Sequence, residues 1–209
     1  MGAKGSPCIN AGPEALIKVA SATAKKGGTE MKNRNIPVIT IVALLAVSGG
    51  IALAAQDKYT VQVPGGLAFS DFRGYENWQP VAVSKTDERI KLIVANPVMI
   101  DAYRAGVPGN GKPFPDGAKI AKIQYNPKKN AESPFSVDVP DILDGIGLIE
   151  KDSKRFPDTS GWGYAQISYD PASDTYKPNE EFVGDAKCGH ACHTIVAAKD
   201  YIFTAYQKR

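Results

Sequence analysis

The chain has 209 residues, 43% of them hydrophobic, with 25 Lys or Arg against 22 Asp or Glu and a formal charge of +3. Residues 1–54 hold six of those basic and two of those acidic side chains, so the remainder carries 19 against 20, about −1. The basic balance belongs to the leader, which argues against a nucleic-acid partner for the rest of the chain.

Residues 1–30 are rich in Gly, Ala and Lys without apolar periodicity and read as a misplaced translation start or a disordered leader, with Cys8 inside it. From Met31 the sequence MKNRNIPVITIVALLAVSGGIALA sets two positive charges before an uncharged apolar stretch that ends in Ala52-Leu53-Ala54. This is the pattern of a secretory signal peptide over residues 31–54, cleaved after Ala54. A retained membrane anchor is the alternative, since the stretch approaches the ~20 residues a spanning helix needs. Pro37, Gly49 and Gly50 weigh against it. Residues 55–209 can enclose one sizeable core and are expected to form one domain.

Within that domain, Gln79–Ser84, Arg89–Ala95, Lys119–Tyr125 and Gly161–Tyr169 are short runs rich in β-branched and aromatic residues, bounded by Pro, Gly, Asn or Asp. Asp141–Glu150 reads as a fifth strand, loosened by Gly145 and Gly147. The fold expected is mainly β (α+β): a single antiparallel sheet with one wet face and flanking helices. Helices are predicted at Phe69–Trp78, Pro97–Ala105 and from Asp185 onward, with a turn at Lys151–Phe156; Asp185 suits an N-cap. The segments Gly106–Asp116 and Ala172–Gly184 hold several Pro and Gly and read as loops covering a site.

The chemistry concentrates in KCGHACHTIVAAKDYIF, Lys187–Phe203, where two of the three cysteines and both histidines fall between Cys188 and His193. A c-type haem is joined to two cysteine sulfurs, with the histidine after the second cysteine as iron ligand, usually in the spacing C-x-x-C-H. Here the spacing is C-x-x-x-C-H, which on a helix still sets Cys188 and Cys192 on one face. One covalently attached haem c is the reading favoured. Two alternatives stand beside it: a Cys188–Cys192 disulfide, strained at this spacing in a helix, and a zinc site completed by His190 and His193, which lacks the loop usual between ligand pairs.

Around this motif stand DGAKIAK, KDSKRF, GWGY and, after His193, DYIFT. Together they resemble the cytochrome P-460 family, which includes the cytochromes c′-β, from about Phe69 to the C-terminal residue. The resemblance implies a periplasmic, mainly antiparallel β fold with one covalent haem, often a homodimer. Its catalytic members oxidise hydroxylamine with uptake of nitric oxide and pass electrons to an external acceptor, whereas the c′-β members bind nitric oxide and carbon monoxide. Carried over, Cys188 and Cys192 are the thioether positions and His193 the proximal ligand.

The resemblance also sets Lys122 where catalytic members join a lysine amine to the haem edge. Period-two alternation sends Lys122 to one face with Ile120 and away from Lys119, Ala121 and Ile123. A lysine on an apolar face loses its charge readily, and the neutral amine is the reactive form. The alternative is a snorkelling lysine at a strand end. Catalytic relatives carry a distal glutamate where this chain has Gly147, and strand parity turns Asp144 and Glu150 to the other face. Phe114 matches a phenylalanine expected to cap the distal pocket, with ordinary loop packing as the other reading.

The sixth iron ligand of an electron-transfer cytochrome is usually His or Met. After Ala54 the chain offers only His190, inside the attachment segment, and Met99, in an apolar helix start where core packing is the commoner role. Five-coordinate iron open to a small nitrogen oxide or a diatomic gas is the simplest outcome. Three functional readings follow: a hydroxylamine or nitric oxide oxidoreductase, a gas-binding or scavenging protein, and an electron-transfer cytochrome ligated by Met99.

Overall fold

The structure, a computed structural model, describes residues 56–63, 66–179 and 186–208. The expected leader, the export segment and the Asp185 cap lie outside the described residues. Among those described, no helix is long and apolar enough to cross a membrane.

Six strands form one antiparallel sheet in which spatial order follows chain order: β1 (Gln79–Lys85), β2 (Ile90–Ala95), β3 (Lys119–Lys129), β4 (Asp138–Lys151), β5 (Trp162–Asp170) and β6 (Thr175–Pro178). The predicted β-branched runs are all strands, and β3 and β4 extend beyond them as a long hairpin. β6 falls inside a segment read as a loop. Four residues ending in Pro178 give little period-two signal, and a strand-end proline is tolerated at a sheet edge.

Between β2 and β3 lies helix α1 (Pro97–Arg104). Pro97 suits the first turn, and the Asn96 side chain accepts from the Met99 amide at 3.1 Å, capping it. The same oxygen accepts from the Lys119 amide at 3.0 Å, so one buried side chain ties the start of α1 to the start of β3. The helix expected over Phe69–Trp78 is instead two 3₁₀ turns, Phe69–Phe72 and Tyr75–Asn77. They are separated at Gly74, whose φ of +85° an α-helix does not accept.

Register decides which side chains meet. Ile93, Lys122, Gly147 and Gln166 stand opposite one another across β2 to β5, and Ala95, Ile120, Ile149 and Tyr164 form the next row of the same face. The other face carries Val94, Ala121, Leu148 and Ala165, and then Leu92, Ile123, Ile146 and Ile167. That second face belongs to the main core with Leu67, Phe69 and Phe72. The N-terminal turns cover it: the Lys119 ammonium lies 5.3 Å from the Phe72 ring centre and donates to the Asp71 carbonyl at 2.7 Å.

The first face receives the C-terminal residues. Helix α2 (Ala186–His193) packs on β5, followed by a 3₁₀ stretch, Thr194–Lys199. Gly189 makes this approach possible, because a β-carbon there would run into the Tyr164 side chain.

Candidate haem-binding site

α2 carries Cys188 and Cys192 one helical turn apart, with His193 next in sequence. Cys192 is an exposed free cysteine, so the Cys188–Cys192 disulfide is not formed. The zinc alternative fails as well: among the described residues, no group of three or more His, Cys, Asp or Glu could hold a metal ion. Cys188 is disulfide-bonded, though not to Cys192, and in a regular helix side chains four residues apart point along one face rather than converge on a single point.

His193 is held on every side. Its Nδ1 lies 2.6 Å from the Tyr201 carbonyl, which can only accept, so Nδ1 carries the proton and Nε2 keeps its lone pair. Tyr164 lies 4.8 Å from the imidazole and Phe203 4.9 Å, the latter edge-on at 70°. Burial pushes its pKa down; the bond to Tyr201 opposes this, and the charges of Lys122 and His190 add to it. The ring is therefore neutral near pH 7, the form that ligates metal. His190 has its ring 4.7 Å from that of Tyr201, and its Nε2 is buried without a hydrogen-bond partner.

Between the C-terminal segment and the first sheet face lie two cavities of about 320 and 200 Å³, both lined by Lys122, Ile149, Cys192 and His193. Ile93, Ile120 and Ile202 make the larger one apolar. Gly147, Gln166 and Tyr164 line the smaller. Lys122 shares its face with Ile120, as alternation predicts. Burial holds its ammonium below the usual lysine range, the Lys91 charge adds to this, and Cys192 opposes it. Directly opposite, Gly147 leaves room for two side chains: a β-carbon there would come within 3.0 Å of both the Lys122 Cε and the Gln166 Oε1.

Asp144 and Glu150 do lie on the other face, engaged by Arg89 at 2.9 Å and by Lys119 at 3.1 Å. Among the described residues lining the two cavities there is no Asp or Glu. Two expected residues do not join them. Phe114 is 2% exposed and its ring meets Tyr103 and Trp162 edge-on, so it takes the packing role rather than lining a cavity wall. Met99 is fully buried in the main core and lines neither cavity.

A second centre, not anticipated from the sequence, supports the first. The Asp200 carboxylate accepts from the Phe114 amide at 2.8 Å, from the Lys151 ammonium at 3.0 and 3.2 Å, and from the Trp162 indole at 3.3 Å. Asp200 and Tyr201 are both left-handed, with φ of 48° and 63°. Such conformations cost on the order of 1–3 kcal/mol each for residues other than glycine, so the surrounding bonds must hold them. This turn presents the carbonyl that His193 uses. Strand parity could have found Lys151, which shares a face with Gly147 and Ile149; Asp200 stood out only as the first residue of DYIFT, with no sign of its partners.

The residues present fit a haem. An apolar, carboxylate-free cleft faces a neutral histidine with its free nitrogen available, beside a cysteine pair at attachment spacing on one helix face. Comparison with known families matches Cytochrome P460 over residues 72–204. Among curated proteins no match is found. The matched span is more than half of the chain and contains β1 to β6, the cleft, both cysteines of α2 and His193, so the chain belongs to the cytochrome P460 family of c-type haem proteins.

Proposed function

We propose that the chain is an exported, periplasmic mono-haem cytochrome that binds small nitrogen oxides at an open iron position. Cys188 and Cys192 would hold the haem by thioethers: Cys188, disulfide-bonded in this structure, would first be reduced by two electrons from an external dithiol, and each S–H would then add across a vinyl double bond with no net oxidation. His193 would be the proximal ligand through Nε2. The haem supplies a redox-active iron with one position available to a neutral diatomic or a small amine. The observation that carries this reading is the neutral, oriented His193 beside Cys192 in an apolar cleft.

The chain's own residues set what such a site can do. Ile93, Ile120 and Ile202 give the cleft an apolar wall that favours uncharged ligands. Lys122, desolvated and opposite Gly147, offers an amine at the cleft that would bond to the haem edge. That bond forms with loss of one N–H and one C–H hydrogen and leaves two electrons for a two-electron oxidant. Electrons for ligand chemistry would pass to or from an external partner, and a homodimer is the expected assembly. Met99 as sixth ligand is disfavoured by its place in the core.

The gas-binding reading is favoured over hydroxylamine oxidation by one observation, the lack of any described carboxylate on the cavity walls. Loss of a positioned general base typically lowers a rate by about 10²–10⁴-fold. The test is the intact mass and reduced spectrum of protein matured in a periplasm, followed by nitric oxide binding and by hydroxylamine turnover with an added acceptor. A haem-sized mass increase, a c-type reduced spectrum and a stable nitric oxide complex are expected. Colourless protein overturns the proposal, and rapid turnover replaces gas binding with catalysis. Lys122→Ala should return the ferrous Soret band to a conventional c-type position; an unmoved band removes the cross-link.

A further inference from the structure

The proximal side contains a device that neither the attachment motif nor the cleft accounts for. His193 takes its orientation from a backbone carbonyl, and that carbonyl belongs to the second of two consecutive left-handed residues, Asp200 and Tyr201. Asparagine, aspartate and glycine enter that region readily, a tyrosine much less so. Both amides of the turn are committed, Asp200 to the Ala197 carbonyl at 3.0 Å and Tyr201 to the Val196 carbonyl at 3.1 Å. The Tyr201 carbonyl is thereby aimed at the imidazole.

What secures the turn is the Asp200 side chain. Its donors come from three separate parts of the fold: Phe114 before β3, Lys151 at the end of β4 and Trp162 at the start of β5. The Lys151 ammonium is itself buried, lies 4.9 Å from the Trp162 ring centre and also donates to the Ser160 carbonyl at 2.9 Å. The carboxylate touches neither the imidazole nor the cleft. Its influence on His193 runs through one peptide unit.

We propose that Asp200 is a positioning residue for the proximal ligand: bonded by Lys151, Trp162 and the Phe114 amide, it holds the turn whose carbonyl fixes the His193 ring and thereby sets the imidazole's donor strength toward iron. This rests on the haem reading above. A ligating histidine whose second nitrogen donates to a well-placed acceptor is more basic and better oriented, and such outer partners tune the metal strongly. Releasing the turn weakens the bond from Nδ1 and makes the imidazole a poorer donor, which favours the reduced metal.

The test uses haem-loaded, exported protein carrying Asp200→Asn together with Lys151→Met, so that no buried charge is left without a partner. Readouts are the iron–histidine stretching band of the ferrous protein and the midpoint potential, with haem content and far-ultraviolet circular dichroism as controls. The expected result is a band at lower frequency and a higher potential, with haem content and dichroism as in the parent. Lys151→Arg, which keeps a charged donor, should retain the parent's band. A double variant with the parent's band and potential overturns the proposal. Should that variant fail to accumulate, Trp162→Phe deletes only the indole donor; a shift in the same direction supports the proposal and an unmoved band overturns it. Parent protein that carries no haem defeats the haem reading itself, an outcome separate from an unresponsive band in a loaded protein.

Discussion

Replacing Gly189 by Ala sets two opposing effects against each other. Alanine is favoured over glycine in a helix interior by about 1 kcal/mol, so propensity alone makes Gly189→Ala stabilising. The packing argues the reverse. The new methyl would lie 2.8 Å from Tyr164 Cδ1 and nearer still to the Cβ and Cγ of that residue, against ordinary carbon contacts of about 3.5–4.0 Å. Tyr164 cannot move aside, being 3% exposed and packed on His193. Helix α2 must therefore lift from β5 or Tyr164 must leave its rotamer. Overpacking costs roughly 1–3 kcal/mol, and contacts this short belong to the upper part of that range, about 2–3 kcal/mol, giving a net loss of about 1–2 kcal/mol after the propensity gain. For a domain of this size that lowers Tm by roughly 2–8 °C. The assay is thermal melting followed by circular dichroism at matched haem content, with Ala191→Gly at an exposed site of the same helix as a propensity control, expected to lose about 1 kcal/mol. A Tm for Gly189→Ala equal to or above the parent's would refute the reasoning, since propensity would then outweigh the contact.

Three further outcomes can be checked. In protein produced without haem, Lys122 gives up its proton below the ordinary lysine value of 10.5 while the unfolded chain keeps it, so stability rises with pH across that window. Lys122→Met should be more stable than the parent below the window, with the gap closing toward pH 10.5; urea titrations at several pH values that show a constant gap would contradict this. Lys151→Met alone strips a buried carboxylate of its cation and should cost about 3–5 kcal/mol, while adding Asp200→Asn recovers part of the loss, as read from a double-mutant cycle of denaturant midpoints. Gly147→Glu must displace only the flexible ends of Lys122 and Gln166, and a carboxylate there would supply the missing proton acceptor. Hydroxylamine turnover with an added acceptor should rise by about 10²-fold or more, and an unchanged rate would mean that no base limits it.

Much of this was legible one residue at a time. β1 to β5 announced themselves through β-branched runs between Pro and Gly, and α1 through Pro97 at its start. Attachment spacing singled out Cys188, Cys192 and His193, while alternation alone turned Lys122 toward the cleft and set Glu150 on the opposite face. What stayed hidden depends on contacts distant in sequence. Asp200 draws its donors from 86, 49 and 38 positions away, so no local pattern around DYIFT could show that it matters. The packing of Phe114 was hidden for a similar reason: its ring lies against Tyr103 and Trp162, which only the folded chain brings together. Gly189 hides in the same way, since its need for smallness is dictated by Tyr164 on another element.

Because strand order equals chain order, each ladder joins segments consecutive along the chain, and the last rung is closed by Pro178. Among the described residues, none from Ala186 onward contributes a strand to the sheet. The C-terminal strap can therefore swing open like a hasp without unzipping the hairpins beneath it, giving up the α2 packing, the Asp200 bonds, the burial of Ile202 and the contacts of Tyr103 with Thr204 and of Gln79 with Tyr206. Amide exchange in Thr194–Ile202 should accordingly outpace that of β3 and β4, and a planar ring could be admitted while the platform that receives it stays intact.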